Sequence, residues 1–486
     1  MVATGPSPHP NAKLIALGLN NVLNHPPAAL ARPLPRGKAL ELRRLPPTFW
    51  AGACSLGAAT AASVLLGWSE ARTMVLLMVL LLPVGLIAIH SARADQAWLS
   101  NLIVVAWIVK LVASSARYWV LQVLYQGAGD ASGYHSAGRR LGPVWRSFDI
   151  PAFETGTEFV DAVTGLLYVP HEPTKLGGFF IYATLAFFGQ ILLYAAFRRA
   201  FPTAQLKWYA GLIFFFPNLL YWPASIGKDS LMLLFIGISA YGAARFFHKG
   251  RLRWMLTFAL GVGGSAAIRS HIALALVIAL LIASLFGSKT PFPASGRIVP
   301  LILLVALVFI VGRIAFQDLG VDPNAQINQS LLEEVVDPVF GGVEDQTNKG
   351  GSAVSGRAVR SPADVPAAAL RVLVRPLPNE AHNPQALVSS LVEGTLLLAL
   401  LLWRAPMIIR RATHRWRTPY VLFSVVYTAG FIYGHSAILN LGIMARQRSQ
   451  VIPFVLALLV GLGFTSASRT AAEDPAAARH ARVLVD

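Results

Sequence analysis

The sequence has little charge and almost no cysteine. Only 13% of its 486 residues are charged while 55% are hydrophobic, and acidic residues are the scarcer sign, with 23 against 41 lysines and arginines. Because water-soluble domains carry about a quarter charged residues, this composition excludes an ordinary soluble fold. The single cysteine, Cys54, excludes an internal disulfide.

Nucleotide-binding and hydrolase motifs are also missing from the sequence. It contains no Gly-x-x-x-x-Gly-Lys-Ser/Thr loop, no Rossmann glycine pattern, no Gly-x-Ser-x-Gly elbow and no His-Glu-x-x-His pair. We therefore expect no cofactor and no metal. Any enzyme built on this chain would have to take an activated donor that is already in the membrane.

Long apolar runs are present along most of the chain. Runs of about 20 residues suit bilayer-spanning helices, in which every backbone amide is satisfied internally. We therefore predict an all-α, polytopic integral membrane protein. A Pro-rich basic tail, 1–45, and a C-terminal tail, 467–486, flank a transmembrane domain, 46–466. The predicted spans, about twelve in number, are 49–68, 73–91, 98–122, 176–197, 209–224, 229–246, 254–268, 272–287, 298–316, 385–403, 419–436 and 451–466.

Basic clusters next to the apolar runs predict the orientation. Arginines and lysines gather at 198–207, 245–253 and 404–417, and such clusters favour the cytoplasmic side. The net charge of +18 therefore indicates topology and contact with anionic lipid, and no nucleic acid. Both termini are expected in the cytoplasm, and two long segments, 123–175 and 317–384, outside.

The most informative charges lie at the outer ends of the predicted spans, although lysine and arginine usually favour the cytoplasmic side. We predict that they share one membrane face, where a lipid-linked phosphate or pyrophosphate would compensate the basic groups. The candidate residues are Asp130, His135, Lys228, Arg269, His271, Arg375, Arg446 and Arg448.

Several of these residues have a simpler interpretation. Asp130 follows a glycine and suits a helix start, and Lys228 with Asp229 suits a local pair at a helix N-terminus. Arg269 and His271 bracket a very short turn between two spans.

Geometry limits one of the arginine pairs. On a helix Arg446 and Arg448 would point about 200° apart, so joint contact with one phosphate needs a re-entrant stretch at this position. Within the predicted spans, Lys110 and Glu393 are either functional groups or a structural ion pair.

Five stretches of the sequence are similar to a known group of proteins: "GDASGYHSAGRRL", "FFPNLLYWPASIGKDSLMLLFIG", "AAIRSHIALAL", "VRPLPNEAHNPQALVSSLVEG" and "ARQRSQVIPFVLAL". In these stretches the chain resembles bacterial membrane proteins of surface-polysaccharide synthesis, the Wzy-type and EpsG-type polymerases and the GT-C glycosyltransferases. The resemblance implies a bacterial cytoplasmic membrane, polyprenyl-linked sugar donors and chemistry at the outer face.

The resemblance also implies roles for particular residues. Asp130, with Glu154 or Glu158 as substitutes, matches the acidic residue of the first large outer loop, and Arg269, Arg446 and Arg448 match arginines that hold the lipid pyrophosphate. The chain departs from GT-C enzymes because its first outer loop follows the third span and contains no Asp-Glu or Asp-Asp pair. This departure favours a metal-free mechanism.

The expected function is transfer of a glycan from a polyprenyl-(pyro)phosphate donor. Asp130 or His135 would accept the proton of the acceptor hydroxyl. The cationic groups at 228, 269, 271, 375, 446 and 448 would neutralise the leaving pyrophosphate. The expected partners are membrane lipid, the lipid-linked glycan and other polysaccharide-synthesis proteins. The alternatives are a transporter or flippase with a midplane path at Lys110 and Glu393, and a structural subunit.

Overall fold

The computed structural model describes residues 67–77, 97–288, 298–318, 340–345, 347, 358–381 and 384–464. This part of the chain is helical and contains no β-strand, so the predicted all-α class is confirmed. All of it belongs to one unit, Ala51–Asp486. The predicted tails 1–45 and 467–486, and most of the predicted spans 49–68 and 73–91, lie outside the described residues.

Fourteen of the described helices are labelled in chain order. They are α1 (Ala97–Trp119), α2 (Asp130–Arg146), α3 (Thr157–Leu167), α4 (Lys175–Ala200), α5 (Leu206–Phe215), α6 (Lys228–Lys249), α7 (Leu252–Ala266), α8 (Ser270–Phe286), α9 (Ile298–Asp318), α10 (Val365–Leu373), α11 (Thr395–Arg415), α12 (Pro419–His435), α13 (Leu441–Gln447) and α14 (Ile452–Gly463). Shorter helical pieces cover 68–77, Pro217–Tyr221, 340–345 and Pro384–Ser389, and α1 and α11 adjoin the π-helical turns Val120–Leu124 and Ser390–Gly394.

Five of the described helices are long and apolar enough to cross a membrane. They are Asn101–Leu124, Lys175–Ala200, Lys228–Lys249, Ile298–Asp318 and Leu387–Arg415. The pair Leu441–Gln450 and Ile452–Gly463 makes a sixth if its 57° bend lies within one span. The chain is therefore a polytopic helical membrane protein.

The predicted number of twelve spans is not confirmed. α5 has 10 residues, α7 has 15, and α8 and α12 have 17 each. At a rise of about 1.5 Å per residue, even 17 residues cover only about 26 Å of a hydrocarbon core about 30 Å thick.

Residues 123–175, expected as a long outer loop, contain the helical hairpin α2–α3. The two helices pack closely because Gly138 of α2 leaves room for Thr164 and Tyr168. The indole of Trp145 donates to the carbonyl of Ala162 across the hairpin (3.0 Å). This segment is thus a folded element that covers one end of the bundle.

The centre of the bundle is the crossing of α4 and α6. A Cβ atom at Gly237 would lie 2.5 Å from the carbonyl oxygen of Gly189, so only glycine permits this approach. Small residues at helix crossings allow the close packing that stabilises helices in lipid. The crossing fixes the position of α6, whose N-terminus carries the charged residues described below.

Two glycines in unusual backbone conformations precede helices at the same end of the molecule. Gly129 (φ 156°) precedes α2, and Gly227 (φ 144°) precedes α6. Residues with a Cβ rarely adopt these φ values. Each helix has an aspartate in its first turn, Asp130 and Asp229, where the helix dipole favours negative charge.

Candidate functional site

The buried carboxylate of Asp229 is the centre of the charged cluster. One of its oxygens accepts a hydrogen bond from Arg269 Nη1 (3.1 Å) and the other from Arg446 Nε. Only 4% of the Asp229 side chain is exposed, against 11% for Arg269. Asp229 therefore joins the N-termini of α6 and α8 to α13, three elements far apart in sequence.

Arg446 contacts a second carboxylate, that of Asp130. Its Nη1 donates to Asp130 Oδ2 (2.9 Å), and the Asp130 side chain is 62% exposed. Arg446 itself is intermediate, with 28% of its side chain exposed. The arginine thus has a buried anionic partner on one side and an exposed one on the other.

Asp130 and Arg446 both line a cavity of about 400 Å³. Its other polar lining groups include Arg117, Ser225, Glu380, Ser389 and Asn440, and its aromatic groups are Tyr125, Phe179, Tyr221 and Trp222. A cavity with a charged rim and an aromatic and apolar wall suits a ligand that has both an anionic and an apolar or saccharide part.

Arg117 supplies a second cation to the cavity. Its guanidinium lies 4.9 Å from the ring centroid of Tyr221 and 4.8 Å from that of Trp222, distances typical of cation–π contacts. Its Nε donates to Ser225 Oγ (3.0 Å). Two rings and a hydroxyl therefore hold the Arg117 side chain in place at the cavity wall.

Lys228 lies beside this cluster without lining the cavity. It is half-buried at the start of α6, within electrostatic range of Asp130 and Arg446. Its Nζ stands close to Gly156, whose N–H donates to the carbonyl of Ala267 (2.8 Å) and so ties the outer segment to the α7–α8 turn.

The charges of the cluster do not balance. The four cations are Arg117, Lys228, Arg269 and Arg446, and the two carboxylates are Asp130 and Asp229, which leaves a net formal charge of +2. Unbalanced positive charge that is shielded from water attracts an anion.

Arg448, a predicted phosphate contact, is directed into the protein. It is 1% exposed, and it donates to the backbone carbonyls of Val372 (3.1 Å) and Arg375. Its role in the structure is to hold the stretch that follows α10 against the bundle. Sequence spacing cannot distinguish the two kinds of contact, because a guanidinium can donate to a backbone carbonyl oxygen or to a phosphate oxygen.

Arg375, another predicted phosphate contact, is paired within its own loop. Its Nε donates to Glu380 Oε2 (2.9 Å), and its Nη2 contacts the other oxygen of the same carboxylate. This bidentate pair stabilises the turn that places Pro376 and Glu380 in the cavity wall.

His135, a predicted general base, is buried within the α2–α3 hairpin. Its Nδ1 lies 2.9 Å from the hydroxyl of Tyr168, and the residue is 7% exposed. Burial lowers the pKa of His135 to about 4, and the positive charges of Lys175 and Arg139 act in the same direction. The imidazole is therefore neutral at pH 7 and does not line the cavity.

His271 lies apart from the cavity, next to a second histidine. The ring centroids of His271 and His435 are 5.8 Å apart. His435 is buried, stacked on Phe431 (3.7 Å) and 2.8 Å from Gln447 Oε1 through its Nε2. This pair joins α8 to α12 behind Arg269.

The two charges inside spans each contact the short helix Pro217–Tyr221 instead of each other. Lys110 Nζ donates to the carbonyls of Leu219 (2.5 Å) and Leu220 (3.2 Å). Glu393 Oε2 accepts from the amide of Asn218 (2.9 Å). Both groups thereby satisfy polar atoms where the chain is interrupted between α5 and α6.

Of the eight predicted site residues, the structure places Asp130 and Arg446 at the cavity, and Lys228 and Arg269 next to it. Sequence reasoning assigned no site role to Arg117, to Asp229 or to the aromatic pair Tyr221 and Trp222. One sequence signal was available: an arginine and two adjacent interfacial aromatic residues at span ends predicted to lie on the same face.

In the part of the chain that the structure describes, no three His, Cys, Asp or Glu side chains are grouped to hold a metal ion. Comparison of this chain with family models, with curated proteins and with solved structures finds no match.

Proposed function

We propose that this protein is a membrane-embedded glycosyltransferase or polysaccharide polymerase. It transfers a glycan from a polyprenyl-phosphate or polyprenyl-pyrophosphate donor to an acceptor hydroxyl. The observation that carries the proposal is the cavity in which Asp130, Arg446 and Arg117 meet against an aromatic wall. A carboxylate, two guanidiniums and an apolar surface are the groups that such a reaction needs in one place.

The cationic groups bind and stabilise the phosphate of the donor. When transfer releases polyprenyl phosphate, this phosphate monoester carries about −1.5 to −2 charges at pH 7, close to the excess of +2 in the cluster. When the bond between the sugar C1 and the phosphate oxygen breaks, the electron pair leaves with the phosphate. Arg446 and Arg117 then neutralise the developing charge.

The Asp130 carboxylate accepts the proton of the acceptor hydroxyl as the new glycosidic bond forms. Its side chain is exposed at the cavity edge, within reach of an acceptor sugar. Among the described residues, its contact with Arg446 uses Oδ2, so Oδ1 can receive the proton.

Tyr221 and Trp222 provide a rigid wall for the sugar rings. Both line the cavity, and Arg117 packs on them. Pro376 and Glu380 also line the cavity, in a loop that Arg448 holds through the carbonyl of Arg375. Holding donor and acceptor against these fixed groups favours transfer over hydrolysis by excluding water.

The proposal includes a location and an orientation. The site lies at the outer face of a bacterial cytoplasmic membrane, and the termini lie in the cytoplasm. The short helices α5, α7, α8 and α12 also cross the membrane, packed against their neighbours, so that the number of spans approaches the predicted twelve. The partners are the polyprenyl-linked glycan, membrane lipid and other proteins of polysaccharide synthesis.

A reconstitution experiment tests the proposal. Purified protein in lipid vesicles is incubated with a polyprenyl-pyrophosphate oligosaccharide, and product glycans are sized by gel or mass spectrometry. We expect longer or transferred glycans, and a loss of roughly 100-fold or more in rate for Arg446→Ala, since removing a preorganised charge-stabilising donor typically costs that much.

Arg139→Ala is the matched control, because it removes one arginine from the same outer segment. Arg139 is 60% exposed and pairs with Glu172 away from the cavity, so near-normal rates are expected. Glycan that crosses the bilayer unchanged would identify a transporter and contradict the proposal.

A further inference from the structure

The two carboxylates bound to Arg446 differ in how readily they can leave it. Asp229 is 4% exposed and is also bound by Arg269, so it is fixed from two sides. Asp130 is 62% exposed, and in the part of the chain that the structure describes its ion pair is with Arg446. Breaking a buried ion pair leaves an uncompensated buried charge. Breaking an exposed ion pair changes a binding or folding equilibrium constant only about 1.5- to 5-fold.

Asp130 is carried by a segment whose backbone is set by glycines. Gly129 (φ 156°) directly precedes it, Gly127 (φ 78°) lies three residues before it, and Gln126 has a positive φ of 51°. Asp130 and Asp229 both belong to the first turn of a helix, but the Asp130 side chain is exposed whereas that of Asp229 is buried. Asp130 is the partner of Arg446 that can be exchanged.

The side of Arg446 to which Asp130 binds faces the cavity, and Arg117 lines the same cavity. Arg446 and Arg117 line the same cavity, and the Asp130 carboxylate lies at its edge. An anion that enters the cavity meets Arg446 on the side where Asp130 binds it, since the other side of the guanidinium is engaged by Asp229.

We propose that the Asp130 carboxylate is an internal counter-ion, which the phosphate of a lipid ligand displaces from Arg446. This inference rests on the proposed function and adds an order of events. Without the phosphate, Asp130 is held by Arg446; when the phosphate binds, the carboxylate is released toward the acceptor side of the cavity. The base is thus available only when the donor is in place.

Coupling of this kind has a direct chemical advantage. The donor phosphate brings the sugar C1 into the cavity, so a base released by that phosphate activates a hydroxyl only when an electrophile is present. Because release of Asp130 requires the phosphate, the two substrates bind in order, with the donor first, and the base is in its active position only in the loaded site.

Equilibrium binding of farnesyl phosphate, a short lipid phosphate, tests the displacement. The full-length protein in detergent is titrated by microscale thermophoresis or calorimetry, as wild type and as Asp130→Asn. Removing the competing carboxylate should tighten binding about 2- to 5-fold, the range of an exposed ion pair. Farnesol, which lacks the phosphate, should bind both proteins equally.

Asp149→Asn is the matched control, because it removes one exposed carboxylate from the same outer segment without altering a contact of Arg446. If Asp130→Asn binds farnesyl phosphate no more tightly than Asp149→Asn, the displacement is refuted. Asp130→Ser, a second uncharged variant, replaces Asp130→Asn if thermal unfolding shows that the latter is unstable.

Arg446→Ala separates this inference from the proposed function. If Arg446→Ala weakens the binding of farnesyl phosphate and Asp130→Asn leaves it unchanged, only the displacement fails. If Arg446→Ala leaves binding unchanged, the phosphate does not bind at Arg446, and both the displacement and the proposed site are wrong.

Discussion

Asp229 shows how the role of one residue depends on its neighbours in space. In sequence it is an aspartate in the first turn of a helix, a position that needs no further explanation. In the structure it holds Arg269 and Arg446, which would otherwise repel each other at the N-terminal end of α6. The arrangement of the site therefore depends on a residue outside the cavity lining.

Asp229→Asn should destabilise the protein much more than Asp130→Asn. Loss of the buried carboxylate leaves two arginines uncompensated, which typically lowers the free energy of unfolding by about 3–5 kcal/mol. The exposed pair of Asp130 and Arg446 contributes less than about 1 kcal/mol. Thermal unfolding of both variants in the same detergent measures the difference, and equal destabilisation would contradict the assigned role of Asp229.

At the scale of residues, the sequence could predict which charges share a face but not what they contact. Asp130, Lys228, Arg269 and Arg446 lie together as expected from their places at span ends. Whether an arginine meets a carboxylate, a backbone carbonyl or open space depends on how helices cross. Arg448 looks the same as Arg446 in sequence, yet the structure buries it against carbonyls.

Helix starts are the elements on which the site geometry depends. α6 begins at Gly227, whose φ of 144° is rarely adopted by residues with a Cβ. A Cβ atom at this position would also stand 3.2 Å from the ring of Tyr134 in α2. This glycine allows α6 to begin directly beside the hairpin that carries Asp130.

Gly227→Ala should therefore lower the free energy of unfolding by about 1–3 kcal/mol, the usual cost of a strained backbone conformation. Gly211→Ala in α5 is the control, since a Cβ atom there meets nothing within 4 Å. Alanine at that helical position should be neutral or stabilise by up to about 1 kcal/mol. Chemical or thermal unfolding checks both variants, and a neutral Gly227→Ala would argue against a strained turn.

At the scale of elements, apolar length predicted the long helices well. The predicted spans 176–197 and 229–246 correspond to Lys175–Ala200 and Lys228–Lys249. The predicted span 209–224 is instead broken at Phe216, because Pro217 disfavours a helical conformation in the preceding residue. α2 and α3 were missed because their apolar residues lie on one face and form no continuous run.

The molecule as a whole has two chemically distinct ends. α6 begins at the charged cluster and ends at Lys249, and its 22 residues span about 33 Å. At that far end, Arg245 and Arg253 lie over the ring of Trp254. The basic loop that follows α6 and the charged cluster are therefore at opposite ends of the same helix, and the proposed orientation puts the loop in the cytoplasm and the cluster outside.

Cysteine labelling in cells should report this orientation directly. With Cys54 replaced by alanine, single cysteines are introduced at two exposed positions, Asp149 beside α2 and Lys249 at the end of α6. A membrane-impermeant maleimide should label Asp149→Cys in intact cells and Lys249→Cys only after permeabilisation. The reverse pattern would place the cavity in the cytoplasm and contradict the proposed location.

The short turn between α7 and α8 has a consequence for the biosynthesis of the protein. Only three residues, 267–269, separate the two helices, and Arg269 is the last of them. In the proposed orientation, this arginine has to pass through the membrane while the chain is inserted, against the usual retention of basic residues on the cytoplasmic side. Since α7 and α8 are each too short to cross alone, we expect them to enter the bilayer together as a hairpin. The translocation machinery thus has to carry across the membrane a residue on which the site depends.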